Sequence, residues 1–205
     1  MYELPPSITA PAYFTALSFS YIETFSIGRS LAAIEKQAAF KAEYKELMQK
    51  RIRRISFTSK DEKRIWEVES LMNSLYSLYD VHGGINYAAE RTHTFNGNHV
   101  RTAELLHALQ IPVLDIPYYM CAPIYRDGVV FYDVDGNVVS MLSVCLSCYQ
   151  LQIADGRSID ADCATYDHLK KFFIDLGHEV EHPDVSGGES IRSFMRDGSA
   201  ADDTP

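Results

Sequence analysis

The sequence predicts an α+β protein: an N-terminal helical hairpin packed with a small antiparallel β-sheet, and a C-terminal helix covering that sheet. Three observations predict it. Segments 30–55 and 59–79 carry apolar residues spaced by three and four, the period of helices with one buried face. The run "DGVVFYDVDGNVVSMLSVCLSC", 127–148, joins two β-rich stretches through an Asp-Gly turn. A third helical pattern, 163–176, follows a capping aspartate and stops at Gly177. At 205 residues the chain suits a single domain. It divides into a mainly helical part (1–110), a hairpin-plus-helix part (111–182) and a loose acidic tail (183–205).

The elements follow in order. Residues 1–11 are Pro-rich and read as an extended lead-in. Phe19, Tyr21, Phe25 and Ile27 alternate, which predicts a strand, with a short helix as the alternative. The first long helix has the stripe Phe40, Tyr44, Met48, Ile52 and Ile55. The second opens on a Ser59/Glu62 capping box and runs through Ile65, Val68, Met72, Leu75 and Tyr79 to Gly83-Gly84. "ERTHTFNGNH" reads as a polar loop, and Asn98 as the cap of a short helix over 100–109. Pro112 and Pro117 then break the chain. In the last helix Tyr166, Leu169, Phe172, Phe173 and Leu176 face inward, with Asp160 or Asp162 as the cap.

Net charge is −9, unevenly spread. Ten Lys/Arg against four Asp/Glu make 36–64 +6, so the rest of the chain carries −15. An acidic protein repels nucleic acid and anionic membranes, so neither is an expected partner. The basic run is a solvated helix face or a docking patch for an acidic partner. No apolar stretch is long enough to span a membrane. The start lacks a signal-peptide pattern, so a cytoplasmic location is expected, or a periplasmic one if a signal has been removed.

"HEVEH", 178–182, matches the zinc-hydrolase motif, with His178 and His182 as ligands and Glu179 polarising water. Gly177 and Pro183 close off the helix that this chemistry needs, Glu181 charges it, and no third histidine follows. An edge strand with His178, Val180 and His182 on one side fits better.

The cysteines are better candidates. Cys121, Cys145, Cys148 and Cys163 all lie in the second half. Pairing about the Asp-Gly turn brings Cys121 opposite Tyr149 or Gln150, near Cys148, and the returning helix brings Cys163 to the same corner. Cys145 and Cys148 share a site only if a bulge or strand end separates them, whereas "YQLQI" reads as continuing the strand. Buried inert thiols, a disulfide or structural zinc site, and a redox pair all remain open. A deaminase reading fails, because "CAP" lacks the catalytic Glu and Val144 replaces the motif proline. His93, His99 and His107 read as surface or satisfied histidines, and no phosphate loop or nucleophile elbow is present.

Cys121, Pro123 and Arg126, then "FYDVDG" and "CLSC", resemble a group of uncharacterised bacterial proteins over about Leu105–Leu176. Two extra residues separate Pro123 from Arg126 relative to that pattern. The resemblance implies a shared hairpin and no reaction. Tyr125 and Arg126 are candidate binding residues.

The functional expectation is a non-catalytic protein-binding module, of the kind seen in small acidic bacterial inhibitors and immunity proteins, with a structural cysteine cluster. Its expected partner is a protein, such as a basic toxin or enzyme. The alternatives are a thiol redox enzyme using the C-x-x-C cysteines and a zinc hydrolase using HEVEH. Zinc is the one cofactor the residues suggest.

Overall fold

The Asp-Gly turn builds the centre of the sheet. In the computed structural model, which describes residues 8–53, 56–74, 77–80, 83–118, 121–153 and 155–180, it joins the fourth and fifth of seven strands. In chain order the elements are β1 (Ile8–Thr9), α1 (Ala10–Thr15), β2 (Tyr21–Ile27), α2 (Leu31–Arg53), α3 (Ser59–Ser74) and β3 (Ala89–Asn96). Then come α4 (Val100–Leu109), β4 (Asp127–Tyr132), β5 (Val138–Cys145), β6 (Gln150–Ile153), β7 (Ser158–Asp160) and α5 (Cys163–Asp175). The sheet order is β1-β7-β6-β5-β4-β2-β3. All pairings are antiparallel except β1 with β7. The protein is an α+β mixture, and no helix among the described residues is long and apolar enough to cross a membrane.

Both faces of the central strands are buried. On one face Ile22, Val129, Phe131, Leu142 and Val144 meet Phe14 of α1, Leu105 and Leu109 of α4, and Leu169 and Phe173 of α5. On the other, Phe25, Ile27, Val130, Tyr132 and Met141 pack under Leu78. Gly128 makes that contact possible, since a Cβ there would lie 2.7 Å from the Leu78 side chain.

α2 and α3 pack on each other. Arg64 grips Glu43 through two hydrogen bonds of 2.7 and 3.0 Å. The hairpin meets the rest at its base, where Ala33 packs with Ala88 and Tyr87. Phe40 sits edge-on to Tyr87 and the Lys36 ammonium lies 4.1 Å over that ring.

Several elements differ from the sequence expectation. Residues 89–96 form edge strand β3, not a loop; its polarity reflects one paired edge and one facing solvent. Ile52 is 76% exposed rather than on the inner stripe. Each i+4 step overshoots a full turn by about 40°, so three steps from Phe40 carry Ile52 about 120° round the helix. α3 ends at Ser74, and Leu78 leaves the helical path to plug the sheet, its amide donating to Ser143 Oγ. The α3 capping box is Thr58/Asp61, one residue before the expected pair, and His99 rather than Asn98 caps α4. "YQLQI" does not continue the strand: residues 146–149 turn and β6 runs back along β5. Residues 178–180 form no strand, while α1, β1 and β7 went unread.

Candidate functional site

The β5–β6 turn decides the fate of the cysteines. It places Cys145 at the end of β5 and Cys148 inside the turn, which supplies the strand end a shared site requires. Tyr149 takes a left-handed φ of 50° to close the turn and stacks on Tyr166, with ring centroids 4.9 Å apart. The chain entering β4 passes beside the turn, and Cys121 is disulfide-bonded to Cys148 with Cα atoms 6.3 Å apart. Cys145 is fully buried against Cys148 and Tyr125, its Sγ 3.4 Å from Ser147 Oγ. Burial, with the Cys145 thiol beside it, pushes the Tyr125 phenol pKa well up. Tyr125 is therefore part of the packed corner rather than an open binding residue.

Cys163 takes a different partner. Its amide donates to Asp115 O and its thiol points to Asp115 Oδ2 at 3.7 Å. The structure thus gathers three cysteines, with two already joined, and ties the fourth to the 111–118 loop. Joined to one another, Cys121 and Cys148 offer no thiolate to zinc; a metal here requires the reduced protein. Among the described residues no group of three or more His, Cys, Asp or Glu is placed to hold a metal.

That loop displays apolar side chains outward. Leu114 is 90% exposed, Ile116 53% and Tyr118 86%. It is nevertheless well anchored. One oxygen of Asp162, the α5 cap, accepts from the amides of Leu114 (2.9 Å) and Asp115 (2.8 Å), while the other accepts from Ala164 (2.9 Å). These three amides hold the Asp162 carboxyl below its ordinary pKa. Pro112 and Pro117 stiffen the loop, and the disulfide fixes the chain just beyond it. The sequence signal was an apolar, Pro-bracketed stretch, "IPVLDIPYY", with no helical or strand period.

The HEVEH match resolves differently from both earlier readings. His178 is buried just past α5, against Phe173. Its Nδ1 lies 2.8 Å from Asp127 Oδ1 and its Nε2 2.9 Å from Thr92 Oγ1. Asp127 also takes two hydrogen bonds from Arg29, at 2.8 and 3.2 Å. Since that carboxylate accepts from Arg29, the facing His178 nitrogen is the donor. Thr92 is the extra residue of a β-bulge, its neighbours Arg91 and His93 pairing with Phe25 and Thr24. Its hydroxyl also lies 3.0 Å from Thr24 O and 2.7 Å from Thr24 Oγ1, so it joins His178 to β2. With both ring nitrogens engaged, His178 has no lone pair free for a metal. Glu179 is exposed, and His182 lies outside the described residues. The edge-strand expectation is not met, since residues 178–180 form no strand, and His178 is a latch between α5 and the sheet.

Arg126 sits by the base of α2, where it lines a shallow pocket with Ala33, Gln37, Lys41 and Ile124. Its carbonyl accepts from Arg29 and from the Ile27 amide. His93 stacks on Phe95, which stacks on His99, and His107 meets His168 edge-on, so these histidines are packing groups on the surface.

No family model matches the chain, and no curated protein or solved structure matches it.

Proposed function

We propose that this is a non-catalytic protein-binding module of the inhibitor or immunity type, and that the 112–118 loop is its binding element. The observation that carries the reading is a rigidly anchored loop whose large apolar side chains face solvent. An isolated chain gains nothing from exposing Leu114, Ile116 and Tyr118. Anchoring lowers the ordering cost of binding, as it does in preorganised inhibitors. Aromatic and aliphatic anchors then fill an apolar cleft on the partner. The partner is basic, because the chain outside the 36–64 segment carries −15 and the loop itself contributes Asp115 but no Lys or Arg. A disulfide at the foot of the loop suits an oxidising compartment, so we place the protein outside the reducing cytosol.

The test is a photo-cross-linker substituted for Tyr118 in producing cells, with a control on the exposed face of α5 at Ile174. One discrete adduct at 118, absent at 174, identifies the partner. Leu114→Asp then weakens the purified complex about 30- to 1000-fold, the loss of a 2–4 kcal/mol anchor. Association slows as salt rises. Equal adducts at both sites, or a Leu114→Asp complex as tight as wild type, overturn the reading.

A further inference from the structure

Three of the four cysteines meet at one corner in two chemical states. Cys121, exposed, and Cys148, buried, form the disulfide, while Cys145 stays a free thiol packed with Cys148 and Tyr125. We propose that this corner is a thiol–disulfide exchange site in which Cys145 displaces Cys121 from Cys148 and delivers a reactive thiol to the surface.

The geometry of the turn carries the argument. Residues three apart in a tight turn have Cα atoms within about 7 Å. A disulfide requires about 4.4–6.8 Å. Cys145 and Cys148 are three residues apart at the β5–β6 turn and pack against each other, so Cys145 as well as Cys121 is placed to be the partner of Cys148. Ser147 Oγ, 3.4 Å from Cys145 Sγ, can donate a hydrogen bond to the thiolate as it forms. Nothing in the fold would have to unwind, because Cys121 sits in the irregular segment before β4.

The step balances without an oxidant. The Cys145 thiolate attacks Cys148 Sγ; the Cys145–Cys148 bond forms as the Cys121–Cys148 bond breaks. The electron pair leaves on Cys121, which takes up the proton that Cys145 gave to solvent. One disulfide and one corner thiol exist before and after. The thiol has moved from a buried position to an exposed one, where its substrate class is an external disulfide, which would leave Cys121 in a mixed disulfide and release the second sulfur as a thiol. The proposal stands apart from the binding reading, since it needs no partner protein.

The experiment is native alkylation of the oxidised protein with N-ethylmaleimide at mildly alkaline pH, followed by peptide mapping over time. Cys163, half-buried at the start of α5, serves as the internal control. The expected result is slow labelling of Cys121, matched by a growing Cys145–Cys148 linked peptide, with Cys145 itself unlabelled. Cys145→Ser should abolish Cys121 labelling while Cys163 still reacts. Cys145→Ala repeats the test if the serine variant loses native near-UV circular dichroism. Labelling confined to Cys163, or Cys121 labelling that persists without Cys145, overturns the proposal. A Cys121→Ser protein that forms no Cys145–Cys148 disulfide in a glutathione redox buffer overturns it as well.

Discussion

At the scale of single residues, His178 shows what a motif can and cannot say. The H-E-x-x-H match singled out the right side chain for the wrong reason. Its partners Asp127 and Thr92, and Arg29 bound to Asp127, are scattered over the chain, and no spacing rule links them. The signals available were slight: an aspartate opening a hydrophobic strand, and an arginine just after Gly28. The side chains of Asp127 and His178 are 2% and 1% exposed, so removing one partner strands the others out of water. We expect Asp127→Ala to cost roughly 3–5 kcal/mol, because Arg29 and His178 lose their common acceptor. His178→Ala should cost less, roughly 1–3 kcal/mol, since Arg29 still holds the carboxylate. Urea unfolding of both variants checks the order; a His178→Ala protein as stable as wild type would mean the latch holds nothing.

At the scale of elements, legibility tracked burial. The β4–β5 hairpin was readable from two apolar runs, largely buried, about an Asp-Gly turn, and α5 from inner residues that repeat at the helical period. β3 was not, because an edge strand facing solvent has the composition of a loop. The β5–β6 turn escaped because "CLSCY" holds no Gly, Pro, Asn or Asp, and Tyr149 adopts the left-handed conformation in their place. Asp162 links two elements, capping α5 while holding the 112–118 loop. Its carboxyl is held below the ordinary 3.8 in the folded protein by those amides. A depressed folded pKa means the unfolded chain takes up the proton first. The stabilising contribution is therefore present above pH 3.8 and is lost as the pH falls through the folded value. Protection of the Leu114 and Asp115 amides against hydrogen exchange should fall in that acid range. In Asp162→Ala it should be low at every pH; unchanged protection in that variant would show that the loop is held by something else.

For the whole molecule, the α+β class was legible, and so was the approach of Cys121 to Cys148. Of the two hairpin registers expected from the Asp-Gly turn, the one shifted by a residue holds beyond a bulge at Phe131/Tyr132, and both pointed to the right corner. The gathering of all four thiols was not realised, because Asp115 takes Cys163. The disulfide closes a loop over a sequence separation of 27, which spans the whole β4–β5 hairpin. Such closure contributes roughly 3–4 kcal/mol, a large share of a small domain's stability. Cys121→Ser should melt several degrees below the oxidised wild type, and calorimetry with and without reductant reads the difference. Equal melting temperatures would show that the link adds nothing to what packing supplies.

The sheet order also sets a timetable. Chains emerge from the ribosome N-terminus first, and segments fold as their partners become available. Here the early strands wait. β2 and β3 can pair with each other, but their packed neighbour β4 arrives only with residues 127–132. β1 waits longer, since Ile8 pairs with Ile159 and nothing nearer in sequence takes that edge. Long-range pairing of this kind is slow, because the loop must close before the contacts reward it. The helical hairpin, by contrast, is complete from local contacts alone and can form while the rest is still being made. A nascent chain therefore carries a finished basic arm ahead of an unfinished sheet, and Ile8 and Thr9, made before either, find their place only after both.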